Sequence, residues 1–286
     1  MGIEKQDPEI EDVGASTWTF ARTRYRGWLF GLLASTVVYE AWVVYWVASS
    51  GMYNNIWLAL LPIGVFAAFY AFVRGKVQSE FMEQFARAEG YSYAKDGPLE
   101  GRDEFIFSIG HSRAASNFLS GQDHDLPLNL FNYRYTVGQG KEAHTYEFTV
   151  YEIEFPNVLL AMTLLEKWRN FGDALFTPFT GKNTLSLEGD FGKYFTLKVA
   201  KGLEVEALQI FTPDLMIKLR DQWKNFSLEF VNRHLYIYED KTIGKRADLL
   251  AMRDFAVYLI DRLKNSTARM ADDVEDMKKL SQTRTY

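Results

Sequence analysis

Four side chains within a short stretch, His111, Asp123, His124 and Asp125, carry the donor types of a catalytic metal site. Imidazole nitrogens and carboxylate oxygens hold zinc and similar divalent cations, and a water bound to such a cation becomes the nucleophile of a hydrolase. Their order fits no metal motif. Asp123-His124-Asp125 ahead of Pro127 is also the composition of a polar turn. A hydrolase would require these four groups to converge on one ion. His144 and His234 fall in or beside alternating segments and read as sheet residues.

Other chemical signals fail on spacing. Gly138-Gln139-Gly140-Lys141 lacks the four residues a phosphate loop needs between its glycines. It continues with Glu142 rather than Ser or Thr, so it reads as a hairpin turn. Asp190-Phe191-Gly192 copies the kinase metal-binding triplet without the catalytic-loop or strand-lysine signatures. Ser108, Ser112 and Ser116 have no Gly-x-Ser-x-Gly frame. Asn225-Phe226-Ser227 and Asn265-Ser266-Thr267 are glycosylation sequons in form only. No catalytic residues, cofactor or metal are assigned from the sequence, and the weak metal candidates remain the four named above.

The elements that must position these residues begin with two apolar runs, 28–49 and 56–73, separated only by 50–55. Each is about 20 residues, long enough to cross a hydrocarbon core of ~30 Å as a helix. Small residues after the first run imitate a signal-peptide cleavage site. However, the run exceeds a signal core and a second follows at once. Arg22, Arg24 and Arg26 precede the first run; Arg74 and Lys76 follow the second; the intervening loop is uncharged. The positive-inside rule then gives a hairpin with both termini cytoplasmic. The same five cations are candidates for contact with anionic headgroups. Glu40 lies near the middle of the first span, where a carboxylate costs several kcal/mol unless neutralised or paired. It reads as a protonated side chain bonding across to a neighbouring helix or as part of a conduction or proton path.

Beyond the spans, residues 1–27 are an acidic tail (disordered over the first 15) and a basic juxtamembrane segment. The spans occupy 28–73, a linker helix 74–90, an α+β domain 91–266 and a polar tail 267–286. In the linker, Val77, Phe81, Phe85 and Ala88 form one stripe that Gly90 ends. In the domain, 104–109 alternates like a strand and 112–119 reads as a short helix. Phe131, Tyr133, Tyr135 and Val137 alternate as a strand, and Tyr146, Phe148 and Val150 begin another. The apolar beat then shifts to Tyr151, Ile153 and Phe155, which a bulge or burial on both faces would explain. Strands are expected at 158–164, from Leu185 onward and over 194–199. A helix starts at Thr212-Pro213-Asp214, and a hairpin turns at Asn232-Arg233. Last comes an amphipathic helix over 246–264 carrying Leu249, Met252, Ala256, Leu259, Ile260 and Leu263. The class is α+β: an N-terminal two-helix transmembrane hairpin, then an antiparallel sheet with packed helices.

Several of these stretches occur together in one family. They are Phe107-Ser108-Ile109-Gly110-His111-Ser112, the run Phe131 to Lys141, Ser186-Leu187-Glu188-Gly189-Asp190-Phe191, Glu206 to Pro213, and Leu235-Tyr236-Ile237-Tyr238. They resemble the bacterial domain of unknown function 3137 family, in the two-span form of small-genome candidate-phylum bacteria. The likeness covers about Tyr91 to Leu263. It implies a membrane-anchored protein with a cytoplasmic α+β domain, and it brings no catalytic residues.

Composition narrows the partners. A net charge of −5 argues against nucleic acid, which selects a basic face. Zero cysteines exclude disulfides and thiolate chemistry. The expected function is a non-enzymatic binding or scaffold module at the inner face of the plasma membrane. Its expected partners are the lipid bilayer and either its own copies or other membrane proteins. The alternatives are a membrane-tethered metal-dependent hydrolase and a subunit of a transport-related complex.

Overall fold

The computed structural model describes residues 9–51, 53–102, 105–156, 162–166, 182–185, 187 and 190–263. The chain divides into two compact units. The first takes the chain to Ala88 together with Gly244–Arg246; the second takes Glu89–Ile243 and the chain from Ala247 on.

The first unit is helical. Helix α1 (Val13–Arg24) begins inside the stretch expected to be a disordered acidic tail. Asp12 is the reason: its Oδ1 accepts a hydrogen bond from the Ala15 amide at 3.1 Å and caps the helix. A short clasp fixes the same segment. The Val13 amide donates to Gly244 O at 2.8 Å, and the Arg246 amide donates to Glu11 O at 3.0 Å. The Ile10 amide donates to Gln84 Oε1 at 2.8 Å, and Ile10 is buried. Two backbone hydrogen bonds and the Gln84 side chain, all from distant parts of the sequence, thus order residues that read as a tail.

Helix α2 (Arg26–Ser50) closes on Gly51, whose φ of +69° suits a left-handed cap. A 3₁₀ segment (Tyr53–Leu60) leads into α3 (Leu61–Glu89). The second apolar run and the expected linker helix are one continuous helix; its lower half buries Val77, Phe81, Met82, Phe85 and Ala86. Ala88, placed on that stripe by spacing, is exposed. The two long helices run antiparallel. Arg24 pairs with Glu80 at 3.0 Å, Tyr25 packs edge-on to Phe72, and Tyr39 Oη donates to Leu58 O at 3.1 Å.

The second unit is built on a nine-stranded sheet. Its strands are β1 (Ser92–Gly97), β2 (His111–Asp123), β3 (Leu126–Val137), β4 (His144–Glu154), β5 (Met162–Glu166), β6 (Lys182–Leu185), β7 (Phe195–Ala200), β8 (Ser227–Val231) and β9 (His234–Glu239). Their spatial order is β1-β2-β3-β4-β9-β8-β5-β7-β6, and every pairing is antiparallel. The helices of this unit are α4 (Phe105–Ser108), α5 (Phe191–Tyr194), α6 (Glu204–Ile210), α7 (Pro213–Gln222) and α8, over 246–263.

Two expectations reverse here. Residues 104–109, which alternate, contain the helical turn α4, and 112–119, which read as a helix, lie in β2. The cause is visible in the pairing. β2 slips register against β3 between His111 and Ala114 and again between Ser116 and Leu119, with Ser112 at φ +53° and Asn117 at φ +51°. Each bulge moves the apolar positions to the other face, so the period of two is lost from the sequence. In β4 the shift of apolar beat has the other explanation. Its pairing with β3 runs unbroken from Val137↔His144 to Leu128↔Ile153, and Phe148 to Ile153 are all buried. A strand expected to start at Leu185 instead ends there. The strand expected over 158–164 is described from Met162; 158–161 and the tail beyond 263 lie outside the described residues.

One face of the sheet carries an aromatic core of Phe118, Phe131, Tyr133, Tyr135, Phe148, Tyr236 and Tyr238, joined by Ile106 and Phe107 from α4. The opposite face presents Leu130, Tyr151, Ile237, Leu228 and Leu197, all buried. An apolar sheet face requires a helical layer. The expected stripe of α8 is buried, and Phe255, which was not expected, stacks on Trp223 at 4.8 Å. Thr212 occupies the N-cap position of α7 as expected, but its hydroxyl accepts from the Arg262 guanidinium and makes no capping bond.

Candidate functional site

The candidate metal ligands do not converge. His111 opens β2 and Asp123 closes it. Twelve residues of strand at ~3.3 Å each put them on the order of 35–40 Å apart. His111 is engaged locally: Nε2 lies 2.8 Å from Gly138 O and Nδ1 lies 3.0 Å from Ser112 Oγ. His124 and Asp125 are the two central residues of the β2–β3 hairpin, with φ of +50° and +64°. That double left-handed geometry is the turn whose twist matches antiparallel strands. His124 Nδ1 contacts Asp123 Oδ1 at 2.8 Å. Asp123 also accepts from Tyr151 Oη at 3.4 Å, and burial pushes the Tyr151 hydroxyl far above its ordinary range. Among the described residues no group of three or more ligating side chains could hold a metal ion.

What the fold does assemble is a polar row across the sheet. Pairing register sets Ser120, Asn129, Glu152, Tyr236 and Glu229 side by side on β2, β3, β4, β9 and β8, at the edge of the aromatic core. Ser120 Oγ donates to Asn129 Oδ1 at 2.9 Å, and Asn129 Nδ2 donates to Glu152 Oε2 at 2.9 Å. Tyr236 Oη donates to Glu152 Oε1 at 3.0 Å, and His234 Nδ1 stands 3.3 Å from the same oxygen. Arg102, from the segment between β1 and α4, completes the set. Its Nη2 donates to Glu152 Oε2 at 2.6 Å, and its Nε lies 3.1 and 3.2 Å from the two carboxylate oxygens. The guanidinium lies 5.5 Å from the Phe118 ring centre and 5.4 Å from that of Phe131.

The pair is almost dry: the Arg102 side chain is 10% exposed and that of Glu152 is 4%. Burial by itself would raise the Glu152 carboxyl. Hydrogen bonds from His234, Arg102 and Asn129, with the Arg102 charge, overcome that and hold it at about 2. The result is a fixed carboxylate whose oxygens accept from Arg102, Asn129 and Tyr236, with His234 Nδ1 3.3 Å away. Such a group organises the sheet rather than transferring protons near neutral pH. Apart from His234, expected as a sheet residue, no member of this network was marked out by residue type or spacing. Its one local sign is Glu152 itself, a charge in the run Val150-Tyr151-Glu152-Ile153 where both faces are buried.

The remaining candidates lie in the first unit. Arg22, Arg24, Arg26, Arg74 and Lys76 are all exposed. Arg24 is taken by Glu80. Among the described residues no carboxylate pairs with Arg22, Arg26, Arg74 or Lys76. Glu40 is half-buried on α2, and no described side chain bonds to it. Around these groups the helices show water an apolar surface, including Trp28 at 73% exposure, Val38 at 70% and Ile63 at 65%. In the most apolar stretches of the helical segments 26–50 and 57–89, only 6% and 11% of residues are buried. Both segments are long and apolar enough to span a membrane.

No family model matches the chain, and no curated protein matches it significantly. Among solved structures the chain is similar to the mycobacterial trehalose monomycolate transport factor A. The TM-score is 0.45 at 12% identity, over 62% of this chain and 92% of that one. A likeness that distant carries neither fold nor function across.

Proposed function

We propose that this protein is a membrane-anchored binding or scaffold module without catalytic activity, held at the cytoplasmic face of the inner membrane by its N-terminal helical hairpin. The carrying observation is the exposed apolar surface of the two long helices of the first unit. Exposed contiguous apolar surface on that scale is what a bilayer, not water, solvates. Arg26, Arg74 and Lys76, which no described carboxylate pairs, flank the apolar stretches at the same end of the antiparallel pair, which supports placing that end inside. In the second unit, the buried carboxylate Glu152 is committed to its neighbours, which supports a structural use of the polar row.

The absence of cysteine makes the topology directly testable. Single Ser50→Cys and Lys95→Cys variants are treated in intact cells with a membrane-impermeant maleimide. Labelling of Ser50→Cys alone is the expected outcome; labelling of Lys95→Cys in intact cells would refute the orientation. A scaffold role further predicts a stoichiometric complex, either a homo-oligomer or a heteromer, after extraction in mild detergent at native expression. Recovery of monomer alone would count against it.

A further inference from the structure

We infer that the basic end of the helical hairpin is a site for one phospholipid with an anionic headgroup, an inference that rests on the membrane reading above. An open groove of about 760 Å³ runs between α2 and α3, lined by Gly27, Trp28, Gly31, Leu32 and Ser35 on one side and by Val65, Ala68 and Phe69 on the other. The volume is within the usual ~300–1,000 Å³ of a small-ligand site, and the lining is almost wholly apolar. On the α2 wall Gly27 and Gly31 carry no side chain beside those of Trp28 and Leu32. A Cβ added to Gly27 or Gly31 would meet nothing within 4 Å. Ser35 Oγ in that wall is already bonded to Leu32 O at 2.9 Å, so the groove offers an acyl chain mainly packing.

Charge at the mouth selects the headgroup. Arg26 immediately precedes Gly27, the first groove residue of α2. On α3, Val65, Phe69, Phe72 and Lys76 succeed one another at helical spacing, so Lys76 continues the stripe about two turns beyond Phe69, the last lining residue. Both cations rest on aromatic rings: the Arg26 guanidinium 5.6 Å from the Phe30 centre and the Lys76 ammonium 5.7 Å from the Phe72 centre. Those contacts orient the cations without neutralising them. Arg24, in contrast, is paired with Glu80. An apolar channel ending at two uncompensated cations complements a lipid carrying net negative charge, and it does not distinguish in favour of a zwitterion.

The full-length protein in mild detergent is titrated with phosphatidylglycerol and with phosphatidylcholine of the same acyl length, and bound lipid is counted by native mass spectrometry. The wild type should retain phosphatidylglycerol preferentially. Arg26→Gln with Lys76→Gln should lower that preference about thirtyfold, two cations at about 1 kcal/mol each. Gly31→Leu, which enters open space and keeps both charges, should lower retention of both lipids. Lys141→Gln, in the second unit, should change nothing. An unchanged preference in the double variant, unchanged retention in Gly31→Leu, or an equal loss in Lys141→Gln overturns the site. Alkaline carbonate extraction of membranes separates the two readings. Release of the chain refutes the membrane anchor, whereas a chain that stays embedded yet shows no phosphatidylglycerol preference refutes the lipid site alone.

Discussion

Replacing Arg102 with Met removes the cation from a nearly dry ion pair while keeping most of its apolar contact with Phe118 and Phe131. Glu152 would keep Asn129, Tyr236 and His234 but lose both donors of the guanidinium. Breaking one side of a buried pair costs about 3–5 kcal/mol, because the remaining charge is buried without compensation. The expected loss of at least ~3 kcal/mol makes sub-global opening about 160-fold more frequent. Hydrogen exchange followed by mass spectrometry, on peptides covering β4 and β9 of the full-length protein, reads that change directly. The cycle closes with Arg102→Met/Glu152→Met, which replaces both charges with apolar groups and should recover most of the loss. A single-variant cost below ~1 kcal/mol, or no recovery in the double variant, would refute the view that this pair fastens the 98–102 segment to the sheet.

The same carboxylate sets a pH dependence. Its folded value lies below the ordinary one, so its contribution is full above pH ~4.5 and is lost as pH falls towards about 2. The drop is about 3 kcal/mol, and Glu152→Gln should flatten the acid limb of an unfolding curve recorded across that range. Tyr238 Oη is buried and bonds to no described residue, and burial drives its hydroxyl well above the ordinary range. Tyr238→Phe should therefore leave thermal stability unchanged or raise it by about 1 kcal/mol; a large loss would mean the hydroxyl is bonded after all. Asp125→Gly relieves a left-handed backbone in the hairpin turn and should add about 0.5 kcal/mol to stability. Elemental analysis should find the same metal content in both forms, whereas a metal lost with Asp125 would restore the hydrolase reading. Glu40→Leu should favour insertion of the first span by about 3 kcal/mol, read as a larger inserted fraction in a translocation reporter. No gain would show that a partner already neutralises the carboxylate.

Long, strongly patterned segments were legible in the residues alone. The two apolar runs, the stripe through Val77, Phe81 and Phe85, the α7 start at Thr212-Pro213, the turn at Asn232-Arg233 and the buried face of α8 all follow from local periodicity or turn chemistry. β2 was misread because two bulges scramble a pattern whose information lies only in its period. The helix from Val13 was hidden because its N-terminus is held by Gly244, Arg246 and Gln84, residues far along the chain.

The candidate site divides in the same way. Composition and run length by themselves determined that two segments of this chain are long and apolar enough to cross a hydrocarbon core, and that cations collect at the ends of those runs, because both are properties of consecutive residues. Only tertiary structure decided which charges are used. Strand register set Glu152 beside Asn129 and Tyr236 and let Arg102 close over it, while helix pairing assigned Arg24 to Glu80 and left Arg26 and Lys76 without a carboxylate partner among the described residues. His111 and Asp123, near neighbours in sequence, were separated by the length of one extended strand. Side-chain chemistry is written residue by residue, but proximity across strands and helices is fixed by pairing register, which no local pattern encodes.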